Sequence, residues 1–259
     1  MKNIVVASDL SERSEPAVQR AINLAAASGA RLTVVHVVDD SMPSGLSDQL
    51  LAGANALLSD QVAQEMEGSD VTTDIKVVTG DVFEAVNEVV DQTNADLLVV
   101  GIHRRRKFFD QVRETTVEHI IRSSSVPVLL AMAPGNDPYV RVLGGVDLSK
   151  VCAATLHKIG MVAPKAELNL FHAHEISFRK EAERDYETWQ AMHVLPENLP
   201  PPTFVEGTAV DALHELMDGK SFDLLAIGAH TRSNAGRYIL GSLSAGLIRN
   251  PPCDLMLAK

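Results

Sequence analysis

The 259-residue chain carries 34 acidic against 23 basic side chains, a formal net charge of -11. This disfavours a general nucleic-acid or anionic-membrane binder, because phosphate contacts need clustered lysine and arginine. Its two cysteines, Cys152 and Cys253, form no CxxC pair, so neither a disulfide framework nor a structural zinc site is expected, and a reducing cytoplasm is the expected location. No apolar run reaches the roughly 18 residues of a membrane span, so none is expected.

In chain order, Asn3 to Ala7 reads as a buried strand that runs into Asp9-Leu10-Ser11. A helix follows with Ala17, Val18, Ala21, Ile22, Leu24 and Ala25 on its apolar face and Gly29 as its stop. Leu32 to Val38 is a second strand, Ser47 to Met66 a longer helix, and Asp74 to Gly80 a third strand. Asp81 to Gln92 is helical, Asp96 to Gly101 a fourth strand, Thr115 to Ser123 a helix, and Val126 to Met132 a fifth strand. Strands alternating with helices imply a parallel α/β sheet.

A linker-like Pro134-Gly135-Asn136-Asp137-Pro138 follows, and the series starts again. Asp147-Leu148-Ser149 answers Asp9-Leu10-Ser11, and His172 answers His36 at the end of the second strand. Gly80 and Gly207, Gly101 and Gly228, and Arg122 and Arg249 each lie 127 residues apart. Ordered matches at one spacing imply two tandem copies of one domain, expected at 1–134 and 139–259. Between His174 and Pro202 the second copy departs from the first, with a charged helix-like stretch, the single Trp189 and Pro200-Pro201-Pro202. This excursion reads either as variable surface or as a lid.

Phe222 to Gly228 is a short apolar strand ending in glycine, followed by a polar loop and by Gly241-Ser242 at a helix start. Such a corner presents unpaired N–H groups and the positive end of a helix dipole, which suits a phosphate. A plain strand-to-helix turn with Ser242 as N-cap is the alternative. An opening strand ending in Asp and Ser, a penultimate strand ending Gly-x-His, and Gly-Ser after the loop together resemble the universal stress protein family, over the whole length of both copies.

That resemblance implies two tandem five-stranded parallel sheets in strand order 3-2-1-4-5, a Rossmann-like fold of the adenine nucleotide alpha hydrolase type. A crevice would open where strands 1 and 4 diverge. It also implies ATP there, with magnesium. In copy two the implied contacts are Asp147, the backbone near Ala173, Gly228, Thr231 in place of the family's middle glycine, Gly241 and Ser242. In copy one they are Asp9, Val37, Gly101 and Thr115, with Arg104 replacing the middle glycine and Glu114 the glycine before the hydroxyl. A carboxylate at 114 would repel a triphosphate, so copy two is the expected nucleotide site. Asp9 and Asp147 could equally cap the turn after their strands, and Thr115 to Glu118 has the form of a capping box.

Arg104 to Lys107 is a basic cluster that either holds an anion or faces water. His172, His174 and His230 invite a metal reading, but histidines at strand ends are more often structural, and no metal is expected. No residue stands out as a catalytic group, so at most slow ATP hydrolysis is expected. The expected function is a cytoplasmic stress-response protein that binds an adenine nucleotide as a switch or assembly signal. The alternatives are a nucleotide-free scaffold, a carrier of another small or lipid-like ligand, and a slow phosphohydrolase. By the resemblance, the last strands of the two copies would pair as an internal pseudo-dimer, and the whole chain could also form a homodimer.

Overall fold

The computed structural model describes residues 1–39, 44–102, 116–132, 135, 137–229 and 242–259. The chain divides into two compact units, Met1–Asp137 and Pro138–Lys259. In unit 1 the order is β1 (Asn3–Ala7), α1 (Glu15–Ser28), β2 (Arg31–Val38), α2 (Ser44–Glu65), β3 (Thr73–Thr79), α3 (Val82–Gln92), β4 (Leu97–Gly101), α4 (Thr116–Ser123) and β5 (Val128–Ala131). Unit 2 repeats it with β6 (Arg141–Gly145), α5 (Lys150–Val162), β7 (Glu167–His174), α6 (Arg179–Met192), β8 (Thr203–Glu206), α7 (Ala209–Met217), β9 (Leu224–Gly228), α8 (Ser242–Arg249) and β10 (Asp254–Ala258).

Both sheets have the expected strand order. Unit 1 runs β3-β2-β1-β4-β5 with every pairing parallel. Unit 2 runs β8-β7-β6-β9-β10, again all parallel. The central strands are covered on both faces, which is why they read as continuous apolar runs and not as alternating ones. Leu97 and Leu98 in β4, and Leu224 and Leu225 in β9, are at most 1% exposed. Each such side chain contributes roughly 1.5–3 kcal/mol by leaving water.

Polar groups at the strand ends set the register. Asp96, just before β4, accepts from the backbone N–H groups of Lys2 and Asn3 at the start of β1. Asp223 does the same before β9, accepting from Val140 and Arg141 at 2.7 and 2.8 Å. A carboxylate accepting two N–H groups joins the bottoms of the two central strands in each unit.

The helices start where local chemistry allows. Ser149 caps α5, its Oγ accepting from Cys152 N at 3.0 Å. In unit 1 the matching helix begins later, at Glu15, with Pro in its first turn. Pro16 has no N–H to donate to residue 12, so it fits only in the first turn. Asp81 caps α3 by accepting from Phe83 and Glu84, and Thr208 closes a reciprocal capping box with Asp211 at the start of α7. The two Thr208 hydrogen bonds hold the Asp211 carboxyl below its usual range.

The 174–202 excursion is a packed helix. Tyr186 and Trp189 of α6 are 7% and 2% exposed, and Trp189 Nε1 donates to the Ser149 carbonyl at 2.9 Å. The three prolines then lead the chain in extended form to β8. No helix among the described residues is long and apolar enough to cross a membrane.

Cys152, fully buried in the first turn of α5, has its thiol pushed up from 9.0 to about 12 by burial. The unfolded chain loses that proton near 9 while the fold keeps it to about 12. Stability should therefore fall as pH rises through this window, by up to about 1.4 kcal/mol per pH unit. Urea denaturation between pH 8 and 10.5 should show a smaller alkaline loss in Cys152→Ala than in the parent. Equal slopes would contradict the assignment.

Candidate functional site

In both units the chain leaves the first strand through the same left-handed turn. Leu10 and Leu148 have φ of 61° and 60°, a conformation leucine rarely adopts. The preceding aspartate compensates. Asp9 Oδ1 accepts from Ser11 N at 3.0 Å and Ser11 Oγ at 2.6 Å. Asp147 Oδ1 accepts from Ser149 N at 3.1 Å and Ser149 Oγ at 2.7 Å. Each of these expected nucleotide contacts thus carries a structural task, in an aspartate turn of the kind that nucleates a chain reversal.

The histidines at the ends of the second strands brace the same turns. His36 Nδ1 lies 2.8 Å from the Ser8 carbonyl and His172 Nδ1 2.7 Å from the Val146 carbonyl. His174 turns away, its Nδ1 2.8 Å from the Glu175 carbonyl, while His230 lies outside the described residues. No group of three or more metal-ligating side chains occurs among the described residues.

In unit 1 these elements surround a cavity of about 270 Å³ at the C-terminal ends of β1 and β4, the switch point where ligands of such sheets bind. Asp9, Val37 and Gly101, three of the four copy-one residues expected at the nucleotide, all line it. The fourth, Thr115, lies outside the described residues, as do Arg104 and Glu114. Thr116 takes a place on the cavity wall, and Ser8 and Ser14 face each other there with hydroxyls 3.0 Å apart. A second space of about 370 Å³ continues past His36 and Val37 beneath α2, walled by Leu10, Leu50 and Leu57.

In unit 2 a larger side chain stands at the matched position. Phe171 pairs with Gly145 as Val35 pairs with Ala7, so the two side chains occupy equivalent places on the same face. The Phe171 ring lies against Gly145, 3.3 Å from where a β-carbon would stand there, and Ile227 closes in from β9 at 3.1 Å. Phe171 is 3% exposed. Cys152 replaces the hydroxyl of Ser14, and Trp189 covers the Ser149 end of the turn. Asp147, exposed, and Ala173 and Gly228, half-buried, are brought to one end of the sheet beside the Phe171 ring. Thr231 and Gly241 lie outside the described residues. Ser242 is the first residue of α8.

A model described as the universal stress protein family matches residues 1–131 and again 138–259. The chain belongs to the universal stress protein family. Universal stress protein A homolog 1 of Coxiella burnetii is 32% identical over 111 residues, 39% of this chain and 76% of that protein. A Haemophilus influenzae universal stress protein A homolog is 30% identical over 110 residues, 40% of this chain and 78% of its own. The crystal structure of a universal stress protein from Archaeoglobus fulgidus follows the fold with a TM-score of 0.76 at 21% identity, covering 99% of this chain and 98% of that one. The two family matches fall on the same repeat that the 127-residue spacing reveals.

Within this universal stress protein the two strand-end glycines differ in necessity. A β-carbon at Gly101 would stand 2.8 Å from the Arg13 carbonyl oxygen and 3.3 Å from Ser14 Cα, backbone that cannot yield cheaply. At Gly228 the nearest atom is Val151 Cγ1 at 3.4 Å, an ordinary contact. Phe171 and the Ser8–Ser14 pair are the site residues that motif reading misses. Comparing Val35 with Phe171 across the aligned copies would have exposed the first. Gly101→Ala should cost about 1–3 kcal/mol by overpacking, whereas Gly228→Ala should stay within about 0.5 kcal/mol. Equilibrium denaturation of both variants checks this, and equal costs would contradict it.

Proposed function

We propose that this universal stress protein holds an adenine nucleotide, ATP with magnesium, and that the described geometry favours unit 1 over unit 2 as its seat. The observation that carries this reading is the contrast at one matched position. Val35 lines an opening beside Ala7, whereas Phe171 packs its larger ring against Gly145. Together the two adjoining unit 1 spaces fall within the roughly 300–1,000 Å³ of small-molecule sites. The apolar part beneath Leu10, Leu50 and Leu57 suits a base, and Ser8, Asp9 and Thr116 supply polar partners at the mouth. The glycine-rich motif of the second copy argues the other way, because Gly241-Ser242 fits a phosphate better than Glu114-Thr115.

Occupancy would act as a switch through α2, whose Leu50 and Leu57 are 39% and 62% exposed beside the open space. A ligand covering them changes the stability of that wall by mass action. Catalysis is not part of this reading. Asp9, Arg13 and His36 in the cavity and Asp39 in the adjoining space are the titratable side chains among their described lining residues, and Asp9 and His36 are already committed to the turn. Phosphate release from ATP should be slow, and turnover on the scale of seconds would sink the switch reading in favour of a phosphohydrolase. A second reading rests on the same leucines: a small apolar or lipid-like ligand beneath α2 with no nucleotide at all.

Calorimetric titration with Mg-ATP separates the possibilities. Val35→Phe, which moves the unit 2 ring into unit 1, should weaken binding at least about tenfold, while Gly241→Glu should leave it unchanged. The opposite pattern would place the nucleotide in unit 2. Native mass spectrometry of the purified chain should show a mass gain matching an adenine nucleotide. A lipid-sized mass in its place would favour the second reading.

A further inference from the structure

We propose a second ligand site, unrelated to the strand-end cavity, in the groove between α7 and α8 of unit 2. Its ligand would be an amphiphilic amine, with an apolar body between the helices and an ammonium group at their C-terminal ends. The groove encloses about 820 Å³, ample for a small molecule. Leu213, Met217, Leu243 and Leu247 wall it, so its interior is mainly apolar.

The matching place in unit 1 is shut by three contacts. Phe83 stacks on His119 with ring centroids 4.9 Å apart. Asn87 donates to Ser123 Oγ at 2.8 Å, and Ser125 Oγ donates to Asp91 at 2.8 Å. At the 127-residue spacing, unit 2 has Val210 and Gly246 in place of the stacked pair, and Pro252 in place of the serine that bonds the aspartate. A β-carbon at Gly246 would meet nothing within 4 Å. The Asn87–Ser123 pair becomes His214 and Asn250, so it is the stacked pair and the Ser125–Asp91 hydrogen bond that unit 2 lacks, on an otherwise repeated backbone.

Charge complementarity selects the occupant. Glu215 and Asp218 border the groove beside His214, so its carboxylates outnumber its one histidine, and no lysine or arginine lines it among the described residues. The last turn of α7 ends at Met217 beside Asp218, and Asn250 follows the last turn of α8, so two helix C-termini add partial negative charge at the same rim. An anion such as a nucleotide or a fatty acid is repelled there, whereas an ammonium group is attracted. The apolar walls disfavour a bare inorganic cation.

Titration of the full chain with n-octylammonium and with octanoate, which share a tail and differ in charge, tests this. One saturable site for octylammonium is expected, with octanoate weaker by about fivefold, the scale of an exposed ion pair. Val210→Phe with Gly246→His, which restores the unit 1 stack, should weaken octylammonium binding at least about tenfold without lowering the melting temperature. If that pair misfolds, Gly246→Leu fills the same space alone. Asp218→Asn should keep binding but narrow the preference for the amine. The proposal fails if no saturable binding appears, if octanoate binds equally well, or if the filled variants bind as the parent does. It also fails if light scattering shows octylammonium merely dissociating a dimer, which would mean that a second copy of the chain covers the groove.

Discussion

Each unit turns on a leucine held in a left-handed conformation between an aspartate and a serine. L-residues avoid that conformation because the β-carbon crowds the backbone. Leu10 and Leu148 adopt it because Asp9 and Asp147 each accept two hydrogen bonds from the serine two residues on. The turn lifts the chain off the end of the first strand and aims the following helix back along the sheet. It also leaves the ends of β1 and β4, or β6 and β9, facing the same space, with His36 or His172 bracing the turn from the second strand. Whether that space becomes a cavity depends on the side chains that point into it.

Here the two copies part. Val35 and Ser14 in unit 1 are small, and the space stays open. At the matched places unit 2 has Cys152 and Phe171, whose ring packs against Gly145, and Trp189 of α6 fastens the turn through the Ser149 carbonyl. The aromatic cluster continues outward, with Tyr186 packing edge-on against Phe204 at 6.0 Å. Buried aromatic area of this kind stabilises a unit strongly. Unit 2 thus carries more aromatic packing beside its strand ends, although its loop sequence is the more phosphate-like of the two.

The same exchange runs the other way on the helical layer. In unit 1, α3 and α4 close on each other through a stacked pair and two side-chain hydrogen bonds. In unit 2 the equivalent helices lose those contacts and leave a groove. One backbone, used twice, carries a cavity at the strand ends of unit 1 and a groove between the helices of unit 2. Duplication permits this because each unit keeps the turn and the aspartate braces that its fold requires, while the remaining positions are free to change size.

Fold and repeat were legible in the residues because they depend on local rules. Apolar runs of strand length, helix stops such as Gly29 and the recurrence of Asp-Leu-Ser at a constant spacing are properties of short segments. So were Asp9, Val37 and Gly101, which the structure brings to one cavity. Motif reading could not weigh Phe171 against Val35, because filling a crevice is a matter of volume between strands 56 residues apart in sequence, Phe171 and Ile227. Nor could it show that Gly101 is demanded by the Arg13 carbonyl. By itself the sequence determined two α/β units and the strand ends at which Asp9, Val37 and Gly101 meet. Only the tertiary structure showed a cavity there in unit 1 and a buried ring at the matched place in unit 2, since packing is set by neighbours that the chain brings together after it folds.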